Sequence, residues 1–151
     1  MQNNLLDLII DHEGMILKVY DDSTGQEVGA GDILVGHPTI GVGRNIAKDG
    51  LGISEDEAKS LLLNDILRVE AEIKDFPIEH LSDVRKAVVI DMAFNMGITR
   101  FNPKKWPNFF KAIEERNWTK ASSEMVSSLW ARQTKRRAQR LSEMMISGKW
   151  L

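Results

Sequence analysis

Residues 11–25 read DHEGMILKVYDDSTG, and the stretch divides in two. Up to Glu13 it closes a helical pattern. Leu5, Leu6, Ile9 and Ile10 recur at helical spacing and Gly14 follows as a terminator, which predicts a helix from Asn3 to about Glu13. From Met15 to Tyr20 the chain is short, apolar and partly β-branched, the mark of a strand, and Asp22, Ser23 and Gly25 stop it in a turn. One carboxylate, Glu13, is thus left on the last turn of a helix. Two more, Asp21 and Asp22, stand where the following strand ends, with Asp11 and Glu27 on either side.

Working outward, residues 26–38 (QEVGAGDILVGHP) are glycine-rich, with one apolar cluster at Ile33–Val35, and read as a long loop or an extra hairpin. Thr39–Gly43 (TIGVG) alternates, so Ile40 and Val42 are expected on one side of a strand and Thr39, Gly41 and Gly43 on the other. Ser54-Glu55-Asp56-Glu57 is a capping box, and AKSLLLNDILRVEAEIK after it predicts a helix to about Lys74, before Pro77. Ser82 and Asp83 cap VRKAVVIDMAFNMG, which ends at Gly97. Its middle, Ala87 to Phe94, is apolar nearly all round except for Asp91, as befits a central buried helix. Pro107 opens a further helix, Trp118 to about Trp130 another, and Thr134 to Ser147 a last one before Gly148. A small β-containing piece placed between one helix and an all-helical remainder means an α+β fold. The expected layout is a single domain over 1–151. It has a small β lobe, about 14–53, and a larger helical lobe, about 1–13 and 54–151.

The 151 residues suffice for a packed core, and the 42% hydrophobic and 28% charged residues are an ordinary globular balance. The chain has no cysteine, which excludes disulfides and thiol catalysis and fits a reducing cytoplasm. No apolar run approaches the ~20 residues of a membrane span. The N-terminal MQNNLLDLIIDHEG lacks a basic region and carries Asp7, so no secretory signal is expected. The net charge of −2 is unevenly spread. Residues 1–99 hold 8 Lys+Arg against 18 Asp+Glu, and residues 100–151 hold 12 against 4. This describes either two solvated faces or a basic end steered toward a polyanion, nucleic acid or acidic wall polymer.

The carboxylates carry the sharpest chemistry. Unpaired carbonyls at a helix C-terminus disfavour a negative charge, so Glu13 suits a general acid. Asp22, at a turn open to water, suits an ionised partner, and two carboxylates in contrasting environments are the pattern for cleaving a glycosidic bond. Thr39 opens the next strand on its glycine face, where a substrate or water can come close. The plainer reading of Asp22 is a turn former. His12, His37 and His80 are scattered and lack zinc-site spacing, so no metal is expected. Gly29-Ala30-Gly31 and Gly41-Val42-Gly43 are not phosphate loops, since no Gly-Lys-Ser/Thr follows. Arg132, Lys135, Arg136, Arg137 and Arg140 form a basic helical run that is either a solvated face or a nucleic-acid surface.

Five pieces in order resemble the phage lysozyme (endolysin, muramidase) family of glycoside hydrolases, which includes the lysozyme of the T-even coliphages. They are His12-Glu13-Gly14 through Asp22-x-x-Gly25, then Thr39-Ile40-Gly41-Val42-Gly43, Ser54 to Asp65, Asp91 to Gly97, and Trp130-x-x-Gln133-x-x-x-Arg137-Ala138-x-Arg140. The resemblance implies a lysozyme-like fold and cleavage of the β-1,4 bond between N-acetylmuramic acid and N-acetylglucosamine, with inversion and no cofactor or metal. It implies Glu13 as general acid, and Asp22, not Asp21, as second carboxylate, because Asp22 stands two residues after the tyrosine and three before the glycine. It implies Thr39 as the hydroxyl that helps position water, Arg137 as partner of the glutamate, and Phe94 as a residue near bound sugar. For an inverting enzyme the carboxyls of Glu13 and Asp22 are expected ~6.5–9.5 Å apart.

Two departures stand out. Sixteen residues, 23–38, separate Asp22 from Thr39 where the family has a tight turn, either lidding a cleft or displacing Thr39. Arg44 stands where relatives often have a structural histidine. Other readings are a lytic transglycosylase, a wall-binding or tail module without chemistry, and a nucleic-acid binder. The resemblance further implies a monomer acting on bacterial peptidoglycan for host lysis. Its partners would include no nucleic acid and no stable membrane. It would accumulate in the host cytoplasm and reach the wall through a holin-type release factor.

Overall fold

The computed structural model describes residues 2–151, with side chains from Leu5 onward. The chain divides into two compact units, residues up to Lys59 and Ser60–Leu151, the boundary falling within one helix.

The first unit opens with α1 (Gln2–Glu13). Gly14 ends it at φ 76°, its N–H returning to the Ile10 carbonyl at 2.8 Å. β1 (Ile16–Asp21) follows and pairs antiparallel with β2 (Pro38–Gly41), Tyr20 opposite Thr39 and Asp21 opposite Pro38, with a register irregularity between Ile16 and Tyr20. β2 in turn pairs with β3 (Arg44–Asn45). The strand expected to run through Gly43 stops at Gly41. Gly41 and Gly43 both take positive φ, which turns the chain into a tight hairpin and puts Val42 in the turn instead of on a strand face.

The inserted segment adopts elements of both forms expected for it. The Asp21 N–H donates to the Gln26 carbonyl and Val28 N–H to the Val19 carbonyl, both at 2.9 Å, around an antiparallel bridge of Tyr20 with Glu27. After this one-bridge hairpin the chain runs as loop to β2. Among the described residues of this unit the buried ones are Asp21 and Thr39, both polar. Hydrogen bonding, more than an apolar core, therefore organises this end of the sheet.

α2 (Glu55–Glu72) begins at the expected capping box. Ser54 Oγ accepts from the Glu57 N–H at 3.2 Å, and Glu57 Oε2 accepts from the Ser54 N–H at 2.7 Å. Arg44 reaches from β3 to the same carboxylate, 2.8 Å from Glu57 Oε1, and donates to the Gly52 carbonyl at 3.0 Å. The Ser54 N–H and hydroxyl, outweighing burial and helped by Arg44, hold the Glu57 carboxyl below its ordinary value.

In the second unit α3 (Asp83–Met96) is the central helix that its composition predicts, with Val88, Val89 and Met92 wholly buried. Around it stand α4 (Pro107–Glu114), α5 (Trp118–Val126), α6 (Leu129–Thr134) and α7 (Arg136–Ser147), α7 packing on α3, α5 and α6. The helix expected from Trp118 to about Trp130 is two. Ser128, extended at ψ 161°, caps α6 by accepting the Ala131 N–H at 3.0 Å. Lys135, at φ 44°, separates α6 from α7, so the last helix starts at Arg136 and not Thr134. Phe101 fills the centre of an aromatic cluster with Phe76, Trp106, Phe109 and Phe110, at ring separations of 5.3–6.4 Å.

Candidate active site

Glu13 is the last residue of α1, and its side chain is exposed. The β2–β3 turn comes up against it: a Cβ built on Gly43 would stand 3.6 Å from Glu13 Oε2, at a backbone φ of 66° that strains any other residue. The glycine turn thus leaves the carboxylate open.

At the other end of β1 the paired aspartates behave differently. Asp21 is 5% exposed. Its carboxylate accepts the Val35 N–H at 2.6 Å, the Gly36 N–H at 3.1 Å and the Ser23 N–H at 2.9 Å. Burial works to raise its carboxyl, yet the N–H groups of Val35, Gly36, Ser23 and Thr24 together hold it below the ordinary value. Asp21 is the peg on which the inserted segment closes. Asp22 is exposed, and its Oδ1 accepts the His37 N–H at 2.7 Å. Gly36 lies between the two carboxylates, where a Cβ would stand 2.1 Å from Asp22 Oδ1 and 2.9 Å from Asp21 Oδ1. Any larger residue must push these side chains aside.

Thr39 stays beside β1 despite the sixteen residues that separate it from Asp22. It is 3% exposed, it faces Tyr20 across the sheet, and its hydroxyl donates to the His37 carbonyl at 3.2 Å. The insertion closes on itself through the two aspartates, so its length is absorbed before the chain re-enters the sheet. The first unit therefore carries Thr39 on β2, with Glu13 at the end of α1 before β1 and Asp22 directly after β1.

The other two expected residues belong to the second unit. Phe94 on α3 is 41% exposed. Arg137 on α7 donates from Nε to Asp91 Oδ1 at 2.7 Å, which also accounts for the single acidic residue in the middle of α3. Arg137 and Asp91 line a cavity of about 550 Å³ with Arg136, Arg140 and Trp150, and Phe94 is not among its lining residues. Nearby, Trp130 Nε1 donates to Asn95 Oδ1 at 2.8 Å. Among the described residues no cluster of three or more His, Asp or Glu is arranged to hold a metal, and no helix is long and apolar enough to cross a membrane.

Sequence reasoning passed over His37, Gly36 and the structural part of Asp21. The signal lay in register: with Thr39 opposite Tyr20, an antiparallel pair puts His37 opposite Asp22.

An α+β fold with two carboxylates flanking the first strand, and a buried threonine on the second, defines a lysozyme-like protein. The chain belongs to the phage lysozyme family, whose sequence pattern matches residues 10–144. It is 25% identical to probable T4-type lysozyme 1 of Dictyostelium discoideum, over 98% of this chain and 96% of that protein. Probable T4-type lysozyme 2 of the same organism is 27% identical at the same coverage. The pre-baseplate central spike protein Gp5 of Enterobacteria phage T4 is 27% identical over 96% of this chain, which spans 28% of that protein. Membership of this family supports peptidoglycan hydrolysis, a glycoside hydrolase reaction, as the general activity.

Proposed function

We propose that the chain is a muramidase that cleaves the β-1,4 bond between N-acetylmuramic acid and N-acetylglucosamine with inversion. The observation that carries this reading is the contrast between the two aspartates after β1. Asp21 is consumed by backbone N–H groups, while Asp22 is left exposed at the end of β1, beside the strand that holds Thr39 and in the same unit as Glu13. In this reading Glu13 gives its proton to the glycosidic oxygen as the bond to the anomeric carbon breaks. A water directed by Asp22 and the Thr39 hydroxyl attacks the opposite face of that carbon, and Asp22 takes the proton it releases. Phe94 and Arg137 bind the glycan, Arg137 with its guanidinium braced by Asp91. Wall access would follow release from the host cytoplasm by a holin-type factor. The similarity to the Gp5 spike protein supports a second setting, a hydrolase carried on a phage tail.

Product analysis on purified peptidoglycan tests the chemistry, with Glu13→Gln beside the wild type. New reducing ends that vanish in the variant are expected. Anhydro-muramic ends would mean a transglycosylase, and wall retention without cleavage a binding module.

A further inference from the structure

His37 joins the two residues assigned to water. The Asp22 N–H donates to the His37 carbonyl at 3.1 Å, as antiparallel pairing requires. The return bond goes to the side chain: the His37 N–H donates to Asp22 Oδ1 at 2.7 Å and leaves the Asp22 carbonyl aside. The same His37 carbonyl accepts the Thr39 hydroxyl at 3.2 Å. The imidazole then covers the other carboxylate oxygen, with Nδ1 3.5 Å from Asp22 Oδ2.

We propose that His37 is a positioning residue of the hydrolytic site, its backbone N–H holding Asp22 Oδ1 and its imidazole Nδ1 steering Oδ2. The proposal rests on the reading of Asp22 as the carboxylate that directs water. A carboxylate held at one oxygen still turns about its Cα–Cβ and Cβ–Cγ bonds. A second contact, on the second oxygen, sets the carboxylate plane and with it the lone pair that water meets. This matters most for an exposed aspartate, which no packing restrains. His37 also stands just before the end of the inserted segment, and the pegging of Val35 and Gly36 by Asp21 brings it to its place. The insertion that lengthens the connection between Asp22 and Thr39 thereby supplies the aspartate with its orienting partner.

The test compares His37→Asn with His37→Gln in the full chain, by reducing-end release from peptidoglycan. Both variants keep the backbone N–H and carbonyl. Asn puts an amide nitrogen where Nδ1 stands, and Gln carries it one bond further. The expected result is kcat within about threefold of wild type for Asn and about tenfold lower for Gln, tenfold being about 1.4 kcal/mol of barrier. KM and unfolding temperature should match wild type in both. Equal loss in the two variants, or no loss in either, overturns the proposal and leaves the muramidase reading intact. A wild type that releases no reducing ends would overturn both.

Discussion

Gly36→Ala tests whether the crowding between the two aspartates serves catalysis. The added Cβ would stand 2.1 Å from Asp22 Oδ1, against the 3.4 Å where ordinary contact begins, a shortfall of about 1.3 Å. Ser23 Oγ, at 2.2 Å, must move as well. Asp21 is buried and held by several N–H groups, so the exposed Asp22 carboxylate is what yields. Turning it aside breaks its 2.7 Å bond from the His37 N–H. A hydrogen bond to a charged group contributes about 1.5–3 kcal/mol when dry, and exposure reduces that to about 1 kcal/mol here. For a chain of this size that lowers Tm by about 2–4 °C. Catalysis suffers more, because a 1 Å misplacement of a reacting group costs about 100-fold. The expected signature is therefore kcat/KM on peptidoglycan down about 100-fold with Tm nearly kept. Gly29→Ala, whose Cβ would meet only the Asp32 side chain at 3.2 Å or beyond, serves as the control. Activity within twofold of wild type at unchanged Tm would refute the reasoning. So would an activity loss that merely follows the unfolded fraction.

The depressed carboxyl of Asp21 makes the inserted segment acid-sensitive. Burial opposes that depression and the N–H groups of Val35, Gly36, Ser23 and Thr24 outweigh it, so the folded carboxyl titrates below its ordinary 3.8. Its stabilising contribution is complete above 3.8 and is lost as pH falls through the folded value. Hydrogen exchange at the Val35 and Gly36 amides should stay slow until that range, and fast exchange well above it would contradict the assignment. Phe101→Ala removes a side chain with no exposure among four other aromatic rings, and should cost about 3–5 kcal/mol in denaturant unfolding. A loss below about 1.5 kcal/mol would show that the site collapses around the void. Excising residues 29–33 spares the pairing at 26–28 and the amides of Val35 to His37. It should change preference among wall substrates without changing the bond cleaved, and unchanged kinetics on every wall substrate would remove any covering role for the segment.

Much of this molecule was legible residue by residue. Gly14, Gly97 and Gly148 terminate helices, Ser54 with Glu57 starts one, and the apolar run around Asp91 is the buried centre of the helical unit. These signals act within a turn or two of chain, so the residues that carry them are neighbours in sequence. Between Asp21 and Asp22 the residues themselves gave no choice, and the preference for Asp22 came from the family resemblance, through its spacing to Tyr20 and Gly25. What the sequence hid were choices between local patterns that look alike. Gly41-Val42-Gly43 alternates like a strand, yet two positive φ values make it a turn, and Ser127-Ser128 passes for helix until Ser128 caps a new one. Hidden too were contacts between residues that meet only when a loop returns. The bonds from Asp21 to Val35 and Gly36 and from Asp22 to His37 span fourteen or fifteen residues. By itself the sequence determined which side chains can do acid–base chemistry, because ionisable groups and their turn residues are written locally. Only the tertiary structure decided which aspartate is spent on holding the loop and which is left facing water. That division depends on where backbone N–H groups lie in space, and every residue but proline carries the same one.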